Sequence, residues 1–264
     1  MLTHEGAGVE RQHTVFENFY DSQMDRWSFH DTKDPLVRYI RDRRIKIGVK
    51  RAMKISGATP DDWDVLVVCG GVGGEGTLLA NLGFRSVTVS DFSENALDIC
   101  QVRDPRLKTA VVNAEAMGFP DNSFDLVLVQ DGLHHLPRPM LGYTEMLRVA
   151  RRAAIVIEPH AGLVAKLIGT TWEKHDEEVN YVFRWNQLML EEPARSLLLD
   201  STPYIRAIRI WDHGLMIEKL VRHKLRLGSS KAGVFVARCL YAALNIPFSW
   251  LGNMMIGVVV KKSA

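Results

Sequence analysis

Val65-Leu66-Val67-Val68-Cys69-Gly70-Gly71-Val72-Gly73-Gly74-Glu75-Gly76 decides how this chain of 264 residues folds. An apolar run of strand composition stops at a glycine cluster, and a helical pattern follows over residues 77–82. A second apolar run, residues 86–90, ends on Asp91. Strand, glycine loop, helix, strand and acid in that order hold a nucleotide-type cofactor. Glycines let backbone N–H groups approach the ligand, and the acid takes the ribose hydroxyls. Gly71, Gly73 and Gly76 read as G-x-G-x-x-G, with Asp91 about 20 residues on, the spacing used for dinucleotides. The glycines alone leave the cofactor open.

Outward from this stretch the alternation is regular. Strand 65–69 leads to helix 76–82, strand 86–90, helix 93–100, a short strand at 109–112 and strand 124–129. Helix 138–149 and strand 153–158 complete the series. Such alternation predicts a mostly parallel sheet covered by helices on both faces, with ligands beyond the carboxyl ends of the strands. Residues 70–74, Asp91, residues 113–115, residues 130–135 and residues 158–160 all fall at such ends.

Before the glycine stretch, residues 10–30 read as an aromatic helical segment with Phe16, Phe19, Tyr20 and Trp27. Residues 35–56 read as a long basic helix opened by Asp34 before Pro35. Its charges are expected on a solvated face, with the stems of the long side chains lying along apolar surface. After His160 the rhythm breaks. Residues 161–200 read as helices carrying Trp172 and Trp185, residues 203–211 alternate as a strand, residues 215–250 as amphipathic helical pieces, and residues 254–260 as a terminal strand. The apolar tract 233–251 is interrupted by Arg238 and Pro247, and reads as a buried or cap helix rather than a transmembrane segment. The late elements could form a cap, an oligomer interface or a membrane contact.

Composition narrows the function classes. Hydrophobic residues make up 47% and charged residues 24%, enough apolar content for a large core. Lys and Arg total 33 against 31 Asp and Glu, a balance that argues against a nucleic-acid partner. Cys69, Cys100 and Cys239 lie far apart, which suggests a reducing, cytoplasmic compartment without disulfides or a thiolate metal site. Residues 1–20 are polar and lack the pattern of a signal peptide.

The second half of the alternating region resolves the cofactor. Residues 112–136, with Asn113-Ala114-Glu115, the segment Phe119-Pro120-Asp121-Asn122-Ser123-Phe124-Asp125 and Leu133-His134-His135-Leu136, closely resemble the class I S-adenosylmethionine (SAM)-dependent methyltransferases. The resemblance covers roughly residues 65–158. It points to the small-molecule and natural-product branch, of the kind called methyltransferase type 11. It implies a Rossmann-like α/β fold with a mostly parallel seven-stranded sheet, an N-terminal helical lid and late helical inserts. Residues 1–60 would be the lid and first covering helix, 61–160 the SAM-binding core, and 161–264 the acceptor-side cap and last strands. By the same resemblance Gly70, Gly71 and Gly73 pack against SAM, and Asp91 with neighbouring Phe92 meets the ribose. Asn113, Ala114 and Glu115 meet adenine, Gln130 sits beside the methionine tail, and Tyr20 closes the lid. Two departures stand out. The family's usual acid two residues before its first loop glycine is Val67 here, and that glycine is Cys69; Glu75 or a water would then anchor the methionine ammonium. The usual adenine-binding Asp is Asn113.

Methyl transfer is an in-line attack on a sulfonium methyl, so the protein must mainly align and desolvate the reactants. A hydroxyl acceptor also needs a base, and histidine suits neutral pH. His134 and His135 lie past a strand end, with His135 slightly favoured, while Glu158 and His160 end the next strand and could orient the base. No metal site is expected. The reading is therefore a SAM-dependent methyltransferase acting on a small-molecule acceptor, at a hydroxyl of a secondary metabolite or sugar. Carbon or nitrogen methylation, an NAD-dependent oxidoreductase and a catalytically silent SAM-fold protein are the alternatives. A homodimer is allowed, and no integral membrane segment is expected.

Overall fold

The structure is a computed structural model describing residues 34–169, 171–175, 178–198 and 202–261. The aromatic segment 10–30, Tyr20 included, lies outside the described residues. The strands are β1 (Asp64–Val68), β2 (Ser86–Asp91), β3 (Lys108–Val111), β4 (Phe124–Gln130), β5 (Ala150–Pro159), β6 (Trp172–His175), β7 (Glu178–Tyr181), β8 (Tyr204–Ile210) and β9 (Met254–Val260). Seven of them form one sheet in the order β3-β2-β1-β4-β5-β9-β8. β1 to β5 pair in parallel, and β9 runs antiparallel between β5 and β8. The strand order reverses between β1 and β4, and the crevice above that switch point is where open α/β sheets bind ligands.

The helices are α1 (Pro35–Ser56), α2 (Gly74–Asn81), α3 (Glu94–Arg103), α4 (Pro139–Val149), α5 (Leu163–Ile168), α6 (Gln187–Leu197), α7 (Gly214–Lys219) and α8 (Lys231–Phe248). The period of two in β1 explains the layering. Val65 and Val67 pack with Ile45 of α1, Leu79 of α2 and Leu97 of α3. Leu66 and Val68 pack on the other face with Met146 and Leu147 of α4 and Leu190 of α6. Both faces are dry, which is why the central strands read as unbroken apolar runs rather than alternating ones.

Asp34 opens α1 as its N-cap, accepting from the Leu36 and Val37 N–H groups, and Gly57 closes it at φ +69°. The expected solvated charged face is present in the exposed Arg38, Lys46, Lys50, Arg51 and Lys54, but part of the helix's charge lies inside the protein. Arg41, Asp42 and Arg44 are buried. Arg44 bonds Asp131 past the end of β4 at 2.5 Å and Asp212 after β8, and Arg43 reaches Asp212 at 3.0 Å. The helix faces other protein on several sides, so the charges on those sides are matched internally.

Two late elements also differ from expectation. Trp172 does not lie on a helix: β6 and β7 form an antiparallel hairpin, with the Trp172 and Tyr181 rings edge to face at 5.3 Å. Trp185 sits in an extended bridge to His160, fully buried against Tyr143 and Phe183. Aromatic pairing across strands outweighs helical spacing in this segment. The tract expected as a buried or cap helix is α8, which a 3-10 turn (Ser249–Leu251) extends. Gly233, Ala237 and Tyr241 bury one stripe of it, and most of its remaining surface is exposed. By length and composition alone, Lys231–Leu251 could cross a membrane.

Candidate active site

The glycine loop begins where β1 ends. Cys69 has φ +51°, a left-handed conformation that an L side chain enters at a cost of about 1–2 kcal/mol. The turn then folds back on itself, with the Gly73 N–H donating to the Gly70 carbonyl at 2.9 Å. Gly73 has φ +83°, and a Cβ there would stand 2.3 Å from Cys100 Sγ. Gly73→Ala therefore combines backbone strain with overpacking and is expected to cost about 3 kcal/mol. Urea denaturation checks it, and an unchanged midpoint would contradict the tight approach of the loop to α3.

Asp91 ends β2 and ties the loop to the next helix. Its Oδ2 accepts from the Gly71 N–H at 2.8 Å, and its Oδ1 from the Ser93 N–H at 3.0 Å. A carboxylate oxygen has two lone pairs, so both oxygens retain capacity for further donors. Phe92 follows at the turn into α3. Asn113 makes an Asx turn, its Oδ1 accepting from the Glu115 N–H at 2.9 Å. An aspartate could make the same turn, so the amide keeps the local backbone intact. Ala114 is buried beside it.

Glu115 is engaged elsewhere in the protein. Its carboxylate accepts from the Arg138 backbone N–H at 2.6 Å and from the guanidinium at 3.0 and 2.8 Å. It thereby fastens the 113–115 turn to the start of α4. Arg138 was not singled out in the sequence, because it lies 23 residues from its partner.

The loop's missing acid has a structural counterpart. Glu75, in the first turn of α2, is buried, and its Oε1 accepts from Gln130 Nε2 at 3.2 Å. Among the described residues the buried Gln130 Oε1 has no hydrogen-bond partner. A carboxylate and an orphaned amide oxygen thus meet beside the glycine loop. Such an acceptor pair fits the α-ammonium of a methionine-like group.

The Cys69 thiol is held well above the usual thiol range, first by burial and then by the Asp91 and Glu158 charges. It is a neutral wall of the loop, with no thiolate chemistry near pH 7.

Beyond β4, Gly132-Leu133-His134-His135 forms a tight turn around Glu158, the penultimate residue of β5. Glu158 is fully buried. Its Oε1 accepts from the Gly132 N–H at 2.9 Å and the Leu133 N–H at 2.7 Å. Its Oε2 lies 2.6 Å from His134 Nδ1. An ionised carboxylate only accepts, so Nδ1 carries the proton and Nε2 is the basic nitrogen of the neutral ring. His135 stacks on His134 with ring centroids 4.1 Å apart. The carboxylate partner therefore belongs to His134, not to the neighbour favoured in the sequence.

His160 is carried away from this cluster. It lines a groove of 1240 Å³ along β8, together with Arg209 and Tyr241, and burial lowers its pKa. The predicted cofactor residues and His134 do not line that groove. Asp131 is paired with Arg44, as described above. Among the described residues no group of three or more His, Cys, Asp or Glu side chains is placed to hold a metal ion.

Residues 66–157, from β1 to the end of β5, match the family described as "Methyltransferase domain". These residues are a class I SAM-dependent methyltransferase domain. The chain is 30% identical over 162 residues to a demethylmenaquinone methyltransferase of Staphylococcus haemolyticus, across 59% of this chain and 63% of that protein. The chain thus spans about three-fifths of the length of the curated relatives it matches. In fold, it is similar to magnesium protoporphyrin IX methyltransferase from Synechocystis PCC 6803, solved with bound SAM, at TM-score 0.53 and 15% identity. That match covers 95% of this chain and 97% of the other. A possible histamine N-methyltransferase from Thermotoga maritima aligns at TM-score 0.55 and 15% identity, over 94% and 99% of the two chains. Around the methyltransferase domain, α1 and the elements after His160 build the remaining walls and the β8 groove.

Proposed function

We propose that the chain transfers the methyl group of SAM to a hydroxyl oxygen of a small-molecule acceptor, with His134 as the general base. The observation that carries this reading is the buried Glu158 carboxylate at 2.6 Å from His134 Nδ1. Bound SAM would supply an activated sulfonium methyl, which leaves the protein to position the acceptor and remove its proton. Glu75 and Gln130 would receive the methionine ammonium. Asp91 would accept from the ribose hydroxyls while fixing the glycine loop. Asn113 and Ala114 would border the adenine. Glu158 fixes the tautomer of His134 and stabilises the ring once it has taken the acceptor's proton. We also assign the acceptor to the secondary-metabolite class and the enzyme to the cytoplasm, as the composition suggests.

Transfer to carbon is the second reading. It is favoured by the resemblance to demethylmenaquinone methyltransferases, whose name specifies a quinone-type acceptor. The same base would then remove a proton from an acidic acceptor.

Calorimetric titration tests the cofactor assignment. SAM is expected to bind and NAD not to, and Asp91→Ala should weaken SAM by about tenfold to a hundredfold, the scale of one or two charge-assisted hydrogen bonds. Binding of NAD without SAM would overturn it. Supplying SAM labelled in its methyl group and locating the label in the product by NMR separates oxygen from carbon transfer.

A further inference from the structure

Helix α8 has an inverted surface. Its buried stripe is Gly233, Ala237 and Tyr241, packed on Leu36 and Ile40 of α1. On the opposite side Ala232, Phe235, Cys239, Ala242, Ala243 and Ile246 are all exposed. These residues recur at helical spacing and carry no charge, so the solvent side of the helix is its apolar side. Phe235 is 64% exposed, Ile246 83%, and Trp250 just beyond the helix 60%. A helix apolar on both sides is stable in water only where something covers the second side.

Charge identifies what covers it. Every one of the 31 acids of the chain lies in residues 1–218, where they outnumber the Lys and Arg residues. From residue 219 onward there is no acid, and there are eight Lys and Arg. Five of these, Lys219, Arg222, Lys224, Arg226 and Lys231, lie in the segment that runs into α8. On its flank α8 borders the β8 groove, which adds Arg51, Arg206 and Arg209 against one acid, Glu191. An apolar strip with aromatic residues, itself free of acids and bordered by cations of which Arg222 is paired with Asp34 and Glu218, matches an anionic bilayer surface. Its rings and aliphatic groups enter the boundary between headgroups and acyl chains, and its cations meet the phosphates.

We propose that α8 docks the protein on anionic phospholipid bilayers, lying in the plane of the interface. The length of Lys231–Leu251 would suffice for a crossing, but the packing excludes one. Tyr241 is anchored in the α1 cluster, and β9 follows within three residues of the 3-10 turn to lie between β5 and β8. A crossing helix would pull β9 out of the sheet. The inference stands on α8 and the charge distribution, and is independent of the methyl acceptor.

Cys239 provides the probe, since it lies on the exposed strip while Cys100 is buried and Cys69 is in the glycine loop. The full chain, labelled at Cys239 with an environment-sensitive fluorophore, is mixed with phosphatidylcholine vesicles with and without phosphatidylglycerol. Cys239→Ser gives the background. The emission is expected to shift to the blue with phosphatidylglycerol vesicles, and nitroxides near the headgroups should quench it more than nitroxides at the bilayer centre. Lys224→Gln/Arg226→Gln should weaken vesicle binding about tenfold or more, since each interfacial cation is worth roughly a factor of five. Phe235→Ser/Ile246→Ser should abolish co-sedimentation, with the unfolding midpoint preserved. Absence of any shift with anionic vesicles would overturn the proposal. So would deeper than shallow quenching, a probe already shielded in the lipid-free monomer, or shielding that grows with protein concentration alone. The last two outcomes would assign the strip to another segment of this chain or to a second copy.

Discussion

His134→Ala is expected to lower methyl transfer by about 100-fold or more, the scale of general-base catalysis, with SAM affinity nearly unchanged. The size of the effect follows from the buried dyad. Glu158 is fully buried and receives two backbone N–H groups besides the His134 ring. It therefore fixes the 132–134 turn and the ring orientation together. Glu158→Gln is expected to reduce turnover to a similar degree, because a side-chain amide can present a donor to Nδ1 and favour the other tautomer. A purely structural role would lower the yield of folded protein and leave the pH dependence alone. Glu158 as a positioning residue predicts more. The acid limb of the pH–rate profile should move to lower pH, since the anionic neighbour that favours the protonated ring is gone. His135→Ala, by contrast, should retain most of the activity. Full activity of His134→Ala would remove the histidine base, and a large loss confined to His135→Ala would transfer the role to its neighbour.

The second large effect concerns stability. Asp212→Ala is expected to cost about 3–5 kcal/mol, the range for removing one partner of a buried ion pair. Asp212 is buried, and both Arg43 and Arg44 turn to it from α1. Without it Arg44 keeps only the Asp131 carboxylate, and Arg43 loses the Asp212 carboxylate. The Arg44 guanidinium is held strongly in its charged form by Asp212 and Asp131 despite burial, so it cannot relieve the mismatch by losing a proton. For a chain of this size the loss corresponds to a fall in Tm of roughly 10 °C or more, measurable by calorimetry. A change of under about 1 kcal/mol would show that water reaches the cluster.

These two sites also show what the sequence conveys and what it conceals. Val65 to Val68 and residues 86–90 could be read as strands because a run of apolar residues bounded by glycine or acid is a local signal. The mostly parallel pairing followed from such signals, whereas the seven strands and the methyltransferase domain followed from the resemblance carried by residues 112–136. The Arg44–Asp131 and Arg44–Asp212 contacts span 87 and 168 residues, and no local pattern announces them. They bury one side of a helix whose other side carries the solvated charges read from the sequence. A His–carboxylate pair was visible as a possibility from two adjacent strand ends. Which histidine meets Glu158 depends on the tight 3-10 turn of residues 133–135, where one residue of register turns a side chain by about 120°. Residues 161–200 read as helices carrying Trp172 and Trp185, although Trp172 and Tyr181 face each other across two strands. Only their pairing across β6 and β7 identifies a hairpin.

The position of β9 has a consequence for how the protein is made. It is the last strand of the sheet to leave the ribosome, yet it lies between β5 and β8 and hydrogen-bonds to both. Until residues 254–260 emerge, β5 and β8 have nothing between them, and β5, among the most apolar strands of the sheet, offers an open edge. Such an edge invites pairing with another nascent chain. Completion of this sheet therefore waits for β9, and the protein's demand on chaperones should be concentrated in the interval before β9 is threaded into place.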